Sequence, residues 1–546
     1  MPKLSRTLPE TGLAGLSENW RADLSAGFLV FLIALPLCIG IAIASGFPPM
    51  SGIITAVIGG LVVSRLSGSF VTINGPAAGL IVVILTAVQN LGGGDNSLGF
   101  RYTLAAIVVA SVFQIIMGLL KAGKLNAYFP ASVVHGMLAA IGVIIMAKQT
   151  HVLLGVKPQS KEIIDTILEI PHSIANMNPE IATIGITGLL ILILWTKITH
   201  PILKRLPAPL IVVLSGIALD HYFSLNIEHS YSIGGPFAKT FLSSEHVVGP
   251  NYLVTVSEDI RSIFYAPNFD KLWTQEFWGA VISICLVGSL ETLLSATAVD
   301  KLDPYKRESN LNRDLTAVGV GNLIAGSIGG LPMIAEIVRS SANVNNGART
   351  GWANFFHGAF LALFVLFFPK LIHQIPLASL ASLLVFTGFR LASPKEFAKT
   401  MQIGKEQLFI FVVTILAVLA TDLLIGVLIG IAVKIAIHLS RGVPLSNLAR
   451  ISFTLKEIEA GTYAVHLEGS AIFANFIGLK SELSELPPGK TVIFDVRDAS
   501  YIDHTVMEFI EQFQHDYVER GGQCTVKGLD ELVSYSEHPL AARRRG

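Results

Sequence analysis

The chain has 546 residues, of which 52% are hydrophobic and only 14% are charged. Because globular proteins carry about 25% charged residues, this composition excludes a wholly soluble protein and indicates that the larger part of the chain lies in a membrane. The formal net charge of zero gives no sign of a polyanionic partner such as nucleic acid, and the three cysteines are too far apart for a disulfide framework or a metal site.

The membrane part is predicted to be helical and to contain fourteen spanning segments. Residues 1–22 are polar and lack the pattern of a cleaved signal peptide, so we expect a cytoplasmic N-terminal segment and then a transmembrane domain over 23–445. Apolar runs near the roughly 20 residues that a spanning helix needs, together with two short segments after proline breaks, give seven segments in each half. They lie at about 24–44, 50–66, 76–89, 103–120, 131–147, 181–198 and 209–219, and at about 277–299, 315–328, 334–346, 352–369, 376–391, 406–421 and 423–440.

Basic residues in the loops predict the orientation of these segments. With the N-terminus inside, the inner ends carry most of the lysine and arginine, as at Arg65 and Lys124, and the short outer connections carry few. The exception is the loop after residue 147, which would lie outside and holds Lys148, Lys157 and Lys161. We therefore expect both termini in the cytoplasm and the protein in the inner or plasma membrane.

From about residue 451 the composition becomes that of a soluble domain, predicted to cover 451–546. Alternating and apolar patterns predict strands at 462–468, 491–496 and 523–527, and an amphipathic helix at 505–519. This order indicates a small cytoplasmic α/β domain. The closing basic tail, 543–545, is expected to be a solvated terminus, and attraction to anionic headgroups is the alternative.

Two Gly/Pro breaks lie at corresponding places in the two halves. Residues 72–80 read Thr-Ile-Asn-Gly-Pro-Ala-Ala-Gly-Leu, and residues 329–340 read Gly-Gly-Leu-Pro-Met-Ile-Ala-Glu-Ile-Val-Arg-Ser. Paired interrupted helices point to a midplane binding site in secondary transporters. A broken helix also offers free N–H groups and a positive dipole end, which suit an anion. The first short helix is expected to begin near Pro76, because proline is favoured at a first helical position; a simple proline kink is the alternative.

Several ordered motifs resemble those of the SulP family of anion transporters with a C-terminal STAS domain. They are Ala22-Asp-Leu-Ser-Ala-Gly, Ala34-Leu-Pro, Ser45-Gly-Phe-Pro-Pro, Asn74-Gly-Pro-Ala-Ala, Phe129-Pro-Ala-Ser-Val-Val-His-Gly and the stretch from Arg339 to Thr350, which ends Asn346-Gly-Ala-Arg-Thr. The resemblance covers nearly everything from residue 19 to the end. It implies two inverted seven-segment repeats that form a core and a gate, a cytoplasmic STAS-like domain, and a homodimer that meets at the gate. It also implies inorganic anion substrates such as bicarbonate or sulfate, and a site built by spans one, three, eight and ten.

The candidate substrate site combines the two breaks with the first span. Arg339 stands where the family has a basic residue, and it is expected either to bind the anion or to pair with Glu336 on the same helix face. Val338 stands where some relatives have a serine next to the anion. The identity of the substrate therefore does not follow from matching individual residues to the family. For Phe31, packing in lipid or in the core is the alternative. The expected substrate-binding residues are Phe31, Asn74, Gly75, Pro76, Ala77, Ala78, Glu336, Ile337, Val338 and Arg339.

Two carboxylates are candidates for ion coupling. Glu291 lies in an otherwise apolar span, where a charged side chain costs about 2.5–3.5 kcal/mol on insertion scales, and Ser295 is on the same face. These two residues match the pattern of the cation site in sodium-coupled relatives; a structural glutamate is the alternative. Glu336 could compete with an anion for helix N–H groups, be neutral, pair with Arg339 or bind a cation. We expect Glu291 and Glu336 to make transport depend on Na⁺ or H⁺, with no other cofactor.

The soluble domain carries an altered STAS signature, Asp503-His504-Thr505-Val506. Thr505 matches the phosphorylatable position in bacterial relatives, so it is the candidate regulatory residue. The domain is expected to bind a regulator, and a role in assembly or trafficking is the alternative. His135 is expected to be a packing residue. No phosphate-binding loop and no nucleophile–base pair is present in the sequence, so we expect no enzymatic activity.

Secondary active transport of a small inorganic oxyanion is therefore the first hypothesis. The second is a proton-coupled permease for a nucleobase-like substrate, in which carboxylates from spans eight and ten would hydrogen-bond the base. The third is a membrane-anchored regulatory scaffold that acts through the soluble domain.

Overall fold

The structure is a computed structural model, and it describes residues 8–124, 129–160, 162–200, 206–231, 246–256, 260–448, 450–487 and 489–546. Lys161, one of the three predicted outer lysines, lies outside these residues. Contacts group the chain into two compact units, Met1–Gly123 with Ile141–Leu391 and Lys124–Ala140 with Ala392–Gly546. The second unit thus combines the end of the membrane part with the C-terminal domain.

The first half of the membrane part is helical at each predicted segment. Its elements are α1 (Gly12–Ala44), α2 (Pro49–Ile58) with a π-helical turn (Gly59–Val63) and α3 (Ser64–Leu66), strand β1 (Asn74–Pro76), α4 (Ile81–Gly92), α5 (Asn96–Leu119), α6 (Ala131–Leu153), α7 (Ile163–Leu168), α8 (Ile170–Ala175), α9 (Pro179–Trp195) and α10 (Ala208–Phe223). The first helix begins at Gly12, well before the predicted start of the span at 24. Strands β2 (His229–Tyr231) and β3 (His246–Val248) form a short hairpin after α10.

The second half repeats this order of seven segments. Its elements are α11 (Gln275–Leu302), α12 (Leu311–Ile328), strand β4 (Met333–Ala335), α13 (Ile337–Asn345), α14 (Trp352–Phe367), α15 (Pro369–Ile372), α16 (Leu377–Leu391), α17 (Pro394–Ile403), α18 (Lys405–Ala420) and α19 (Leu423–Ser440). Among the described residues, seven helices are long and apolar enough to cross a membrane, or eight if the bent pair α7–α8 with α9 is one span. Three of the other predicted segments are shorter apolar helices in the described residues: α4, α10 and α14.

The two breaks meet each other as strands. β1 pairs with β4 in antiparallel register, with Asn74 opposite Ala335 and Pro76 opposite Met333. The chain therefore runs in opposite directions through the two halves at this point, as inverted repeats require. The predicted start of the third-span helix at Pro76 is wrong: Pro76 ends β1, and α4 begins only at Ile81. A proline without an N–H can close a three-residue strand as readily as it can open a helix.

The helices around this strand pair pack closely because small residues lie at their contacts. A Cβ on Gly60 would overlap the backbone of Asn354 and Gly358 in α14, and one on Gly52 would overlap the carbonyl of Cys38 in α1. Buried Phe31, Ile53 and Met333 belong to one apolar cluster that surrounds the breaks. The small residues therefore bring α1, α2 and α14 close enough to enclose the strand pair.

The C-terminal domain is a mixed sheet with two main helices. Its elements are β5 (Ser452–Glu459), β6 (Thr462–Ala471), α20 (Ile477–Ser484), β7 (Thr491–Asp495), β8 (Ala499–Ile502), α21 (His504–Glu519), β9 (Gln523–Lys527), β10 (Leu532–Ser534) and β11 (Arg543–Arg545). The strand order is β10-β11-β8-β6-β7-β9, and β5 also pairs with β6. The three predicted strands and the predicted helix are confirmed.

The basic tail is not a free terminus. Arg543–Arg545 form β11, which pairs with β10 on one side and with β8 on the other. The backbone of the tail therefore belongs to the sheet, whereas Arg544 and Arg545 are exposed, as expected for a solvated terminus. A run of arginines suggested solvent, but a strand directs alternate side chains to opposite faces and leaves its backbone free to join a sheet.

Candidate functional site

The first half contributes glycine-lined backbone to the site. Gly75 lies in β1 and Gly79 lies just before α4. A Cβ on Gly75 would overlap the guanidinium of Arg339, and a Cβ on Gly79 would overlap the carboxylate of Glu291. The first break is thus the place where two charged side chains of the second half approach the backbone.

The second half contributes a buried ion pair at its own break. Glu336 is the N-cap residue of α13, but its side chain accepts no capping hydrogen bond. Its Oε1 lies 3.0 Å from Nη2 of Arg339, one turn along the helix, although the two atoms are not aligned as a hydrogen bond. The Arg339 side chain is 0% exposed, and its Nη1 lies 3.4 Å from Cys38 Sγ in α1. Several roles were expected for Glu336, and the one seen in the structure is the ion pair with Arg339.

Glu291 in α11 is a buried carboxylate. The residue is 5% exposed, and neither of its oxygens has a hydrogen-bond partner among the residues that the structure describes. An isolated charged carboxylate in an apolar interior is very costly, so this environment disfavours the ionised form of Glu291. Its contact with Gly79 places it at the N-terminal end of α4, where the first-turn N–H groups of a helix lack intrahelical acceptors.

Hydrogen bonds from α13 fix the chain leading into the first break. The Ser340 hydroxyl accepts from the Ile73 N–H at 2.8 Å, and the Asn343 amide donates to the Val71 carbonyl at 2.8 Å. The Glu336 N–H also donates to the Ile73 carbonyl, at 2.8 Å. A shift of one break therefore moves the other, because they share these bonds.

Two further asparagines, not predicted from the sequence, form hydrogen bonds to β1 and β4. Asn322 in α12 accepts from the Met333 N–H at 2.6 Å and donates to Gln114 at 2.8 Å. Asn354 in α14 donates to Asn74 Oδ1 at 3.1 Å. The signal that could have revealed them is a polar side chain within an apolar helix, the feature that identified Glu291. His357, also in α14, is fully buried, and neither ring nitrogen has a hydrogen-bond partner in the described ranges of the chain.

The remaining predicted substrate-binding residues are placed as follows. Phe31 is buried in the apolar cluster and packs against Phe360 and Phe364. Ala77 is buried beside the first break, whereas Ile337 and Val338 in the first turn of α13 are substantially exposed. Ala78, in the first break, is partly buried. Ser295, predicted for the cation site, is also partly buried and lies one turn after Glu291 in α11.

The STAS-like signature lies at the start of α21. Asp503 is its N-cap and accepts from the Val506 N–H at 2.8 Å and from the Phe473 N–H at 2.9 Å. Thr505 is the second helical residue, and its hydroxyl oxygen is buried, with no hydrogen-bond partner among the described residues. Modification of Thr505 would require that this hydroxyl become accessible.

Asp503 also faces a buried lysine and a buried histidine of α19, the last membrane helix. Lys434 Nζ lies 3.9 Å and His438 Nε2 lies 3.7 Å from Asp503 Oδ2. Lys434 is 1% exposed and donates to Gln407 in α18 at 3.4 Å.

His135 in α6 was expected to be a packing residue, but its side chain is 48% exposed and lies 4.0 Å from Glu396.

One cluster in the described residues has the spacing of metal ligands. It consists of His515, Asp516 and Glu519 on the surface of α21. Acidic groups in such exposed positions are common without an ion. Burial raises the pKa of the Cys524 thiol in β9 to about 11, so this cysteine is protonated at neutral pH and is a poor ligand.

In this multi-pass helical protein, two interrupted helices meet through antiparallel strands and enclose buried charges. This arrangement is that of a membrane transport protein. The chain belongs to the sulfate permease family, which matches residues 20–414.

Individual relatives agree over almost the whole length. The bicarbonate transporter BicA of Picosynechococcus is 22% identical over 554 residues, which cover 96% of this chain and 92% of that protein. The chloroplast sulfate transporter 4.1 of Arabidopsis thaliana is 23% identical over 547 residues, covering 95% and 76%. The solved structure of SLC26A9 superposes with a TM-score of 0.65 at 14% identity and covers 94% of this chain and 85% of that one. The fold shared with that structure therefore extends into the C-terminal domain, whose sheet is consistent with a STAS domain.

Proposed function

We propose that the protein is a secondary active transporter of a small inorganic oxyanion, bicarbonate or sulfate, that works by alternating access and couples transport to Na⁺ or H⁺. The observation that carries this proposal is the buried Arg339 beside Gly75, at the meeting point of β1 and β4. A guanidinium offers five N–H donors in a planar fork that matches an oxyanion. The family and the relatives named above support the substrate class.

The two carboxylates favour cation coupling. An anion that approached Arg339 would meet Glu336 on the guanidinium and Glu291 at the start of α4. Neutralising these carboxylates with a proton or Na⁺ would remove their repulsion and leave Arg339 free for the substrate. Carboxylate oxygens suit Na⁺ as well as a proton, and neither oxygen of Glu291 has a hydrogen-bond partner within the described part of the chain. Bicarbonate is favoured over sulfate, because a monoanion tolerates nearby carboxylates better than a dianion does.

The remaining features of the proposal concern assembly and place in the cell. The protein functions in the cell membrane as a homodimer, with both termini in the cytoplasm and no enzymatic activity. The C-terminal domain binds a regulator, and Thr505 is the residue at which modification would act.

Uptake into proteoliposomes tests the function. Radiolabelled bicarbonate, sulfate and uracil are supplied separately, with and without an inward Na⁺ gradient or a pH gradient. We expect gradient-stimulated uptake of bicarbonate or sulfate and none of uracil. Uptake of uracil alone would replace the proposal with that of a nucleobase permease, and the absence of uptake under every gradient would reject transport.

A further inference from the structure

A second cationic feature lies away from the breaks, in a cavity of about 330 Å³. Its wall includes Ala44 of α1, Leu85 and Gln89 of α4, Lys148 of α6 and Leu384 of α16. Among the described residues that line it, Lys148 is the only charged one. The cavity lies near the C-terminal ends of α1, α4 and α6, which is the outer side if the N-terminus is inside, as the loop charges predict.

A smaller cavity of about 10 Å³, close to the volume that one water requires, lies next to this one along α4. It shares Ala44, Leu85 and Lys148 with the larger cavity, but it also reaches Ile81 in the first turn of α4. The two spaces therefore follow α4 from its outer end toward the first break, and Lys148 borders both.

The position of Lys148 also accounts for an anomaly in the sequence. Lys148 and Lys157 were exceptions to the charge rule for outer loops. The structure separates them: Lys157 is exposed and does not line the cavity, whereas Lys148 projects from the face of α6 that does. Gln149, next to Lys148, also lines the cavity. The acidic side chain that attracts the Lys148 ammonium is that of the exposed Glu162.

We propose that Lys148 forms an outer anion-binding vestibule, which takes up the small inorganic anion before it reaches Arg339. This inference rests on the proposed function for the identity of the anion. A single positive charge in a cleft with apolar walls concentrates anions there, because the walls weaken screening. The Lys148 ammonium and the Gln149 amide supply the hydrogen-bond donors on this wall.

Initial uptake rates measured against anion concentration test the role of Lys148. We expect Lys148→Gln to raise the KM about tenfold with kcat within twofold, because steering and weak capture act before the transport step. Lys148→Arg should stay close to the unchanged protein, and Lys157→Gln is the matched control. An unchanged KM in Lys148→Gln would overturn the vestibule, as would an equal effect of Lys157→Gln.

Chemical restoration of the charge makes the same test in one protein. Lys148→Cys should show the raised KM, an aminoethyl thiosulfonate should lower it again, and a sulfonatoethyl thiosulfonate should raise it further. The three native cysteines are buried, so their background reaction should be small. The same KM after both reagents would show that the charge at this position is irrelevant.

A binding measurement does not depend on transport. Sulfate or bicarbonate should slow the modification of Ser160→Cys, at another position that lines the cavity, by a thiosulfonate when Lys148 is present. Neither anion should do so in Lys148→Gln/Ser160→Cys. Absence of protection in the first protein rejects the vestibule even if uptake is normal. Protection without uptake by the unchanged protein would instead reject the transport function and leave the vestibule standing.

Discussion

The two breaks of the membrane part face each other as strands, yet they contribute different things. The first supplies Gly75 and Gly79, whose missing side chains leave space. The second supplies Glu336 and Arg339, and Glu291 also comes from the second half. The sequence suggested that the first break was a bare helix end, but the charges of the second half lie against it. The two repeats thus share an interrupted backbone, but the glycines of the first half provide space and the second half provides the charged side chains that occupy it.

The largest expected effect comes from removing the charge of the second break. Arg339→Gln leaves Glu336 buried without its partner, and truncating one member of a buried charge pair costs about 2–5 kcal/mol. We expect uptake to fall at least thirtyfold and the melting temperature to fall as well, measured in proteoliposomes and by thermal unfolding in detergent. Glu336→Gln/Arg339→Gln should recover the melting temperature but not the uptake, and recovery of uptake would show that the pair is only structural.

Neutralising the carboxylates should separate coupling from binding. Glu291→Gln and Glu336→Gln remove the groups that a proton or Na⁺ must neutralise, so uptake should no longer increase with a Na⁺ or pH gradient. The measurement is the ratio of uptake with and without each gradient. If both proteins keep the full ratio, neither carboxylate takes part in coupling.

Filling the space of the first break should have the next largest effect. Gly79→Ala forces a methyl group into the Glu291 carboxylate, and overpacking typically costs about 1–3 kcal/mol. We expect about tenfold slower uptake, and Gly79→Ala/Glu291→Ala should relieve the steric part of the defect in thermal stability. Gly279→Ala in α11 is the control, because a Cβ there meets nothing within 4 Å, and it should be neutral or slightly stabilising.

The smallest expected effect concerns the bonds between the breaks. Asn343→Ala leaves the buried Val71 carbonyl without its donor, which costs about 1–3 kcal/mol. We expect a lower melting temperature with the substrate preference unchanged. Asn345→Ala on the exposed side of α13 should leave the melting temperature unchanged. Equal losses in both proteins would mean that the effect comes from the helix and not from the bond to the first break.

Local patterns in the sequence predicted the parts of the fold that depend on local composition. Apolar runs predicted the membrane helices, and alternation predicted β6, because burial of one face imposes that period. The strand pair β1–β4 was not predicted, since three residues carry no period and the partner lies far along the chain. The same is true of the Asn343 bond to Val71, which joins residues 272 positions apart.

The candidate site was predictable where a residue violates the rules of its surroundings. Glu291 and Arg339 were found because charges are rare within apolar segments. Their approach to Gly79 and Gly75 was not predictable, because clearance for a side chain is a property of three-dimensional packing. The helix start at Ile81 was missed for the same kind of reason, since Pro76 satisfies the local rules for both a helix start and a strand end.

The contact of Lys434 with Asp503 bears on whether the two parts of the chain are interchangeable modules. A protein cut before residue 451 would keep an ammonium group in its last membrane helix with Gln407 but without the carboxylate. Breaking a buried ion pair in this way costs about 3–5 kcal/mol, so shortened forms should be unstable whatever the C-terminal domain does for transport. Exchanging C-terminal domains between relatives would require the matching residue of the last helix to move with them.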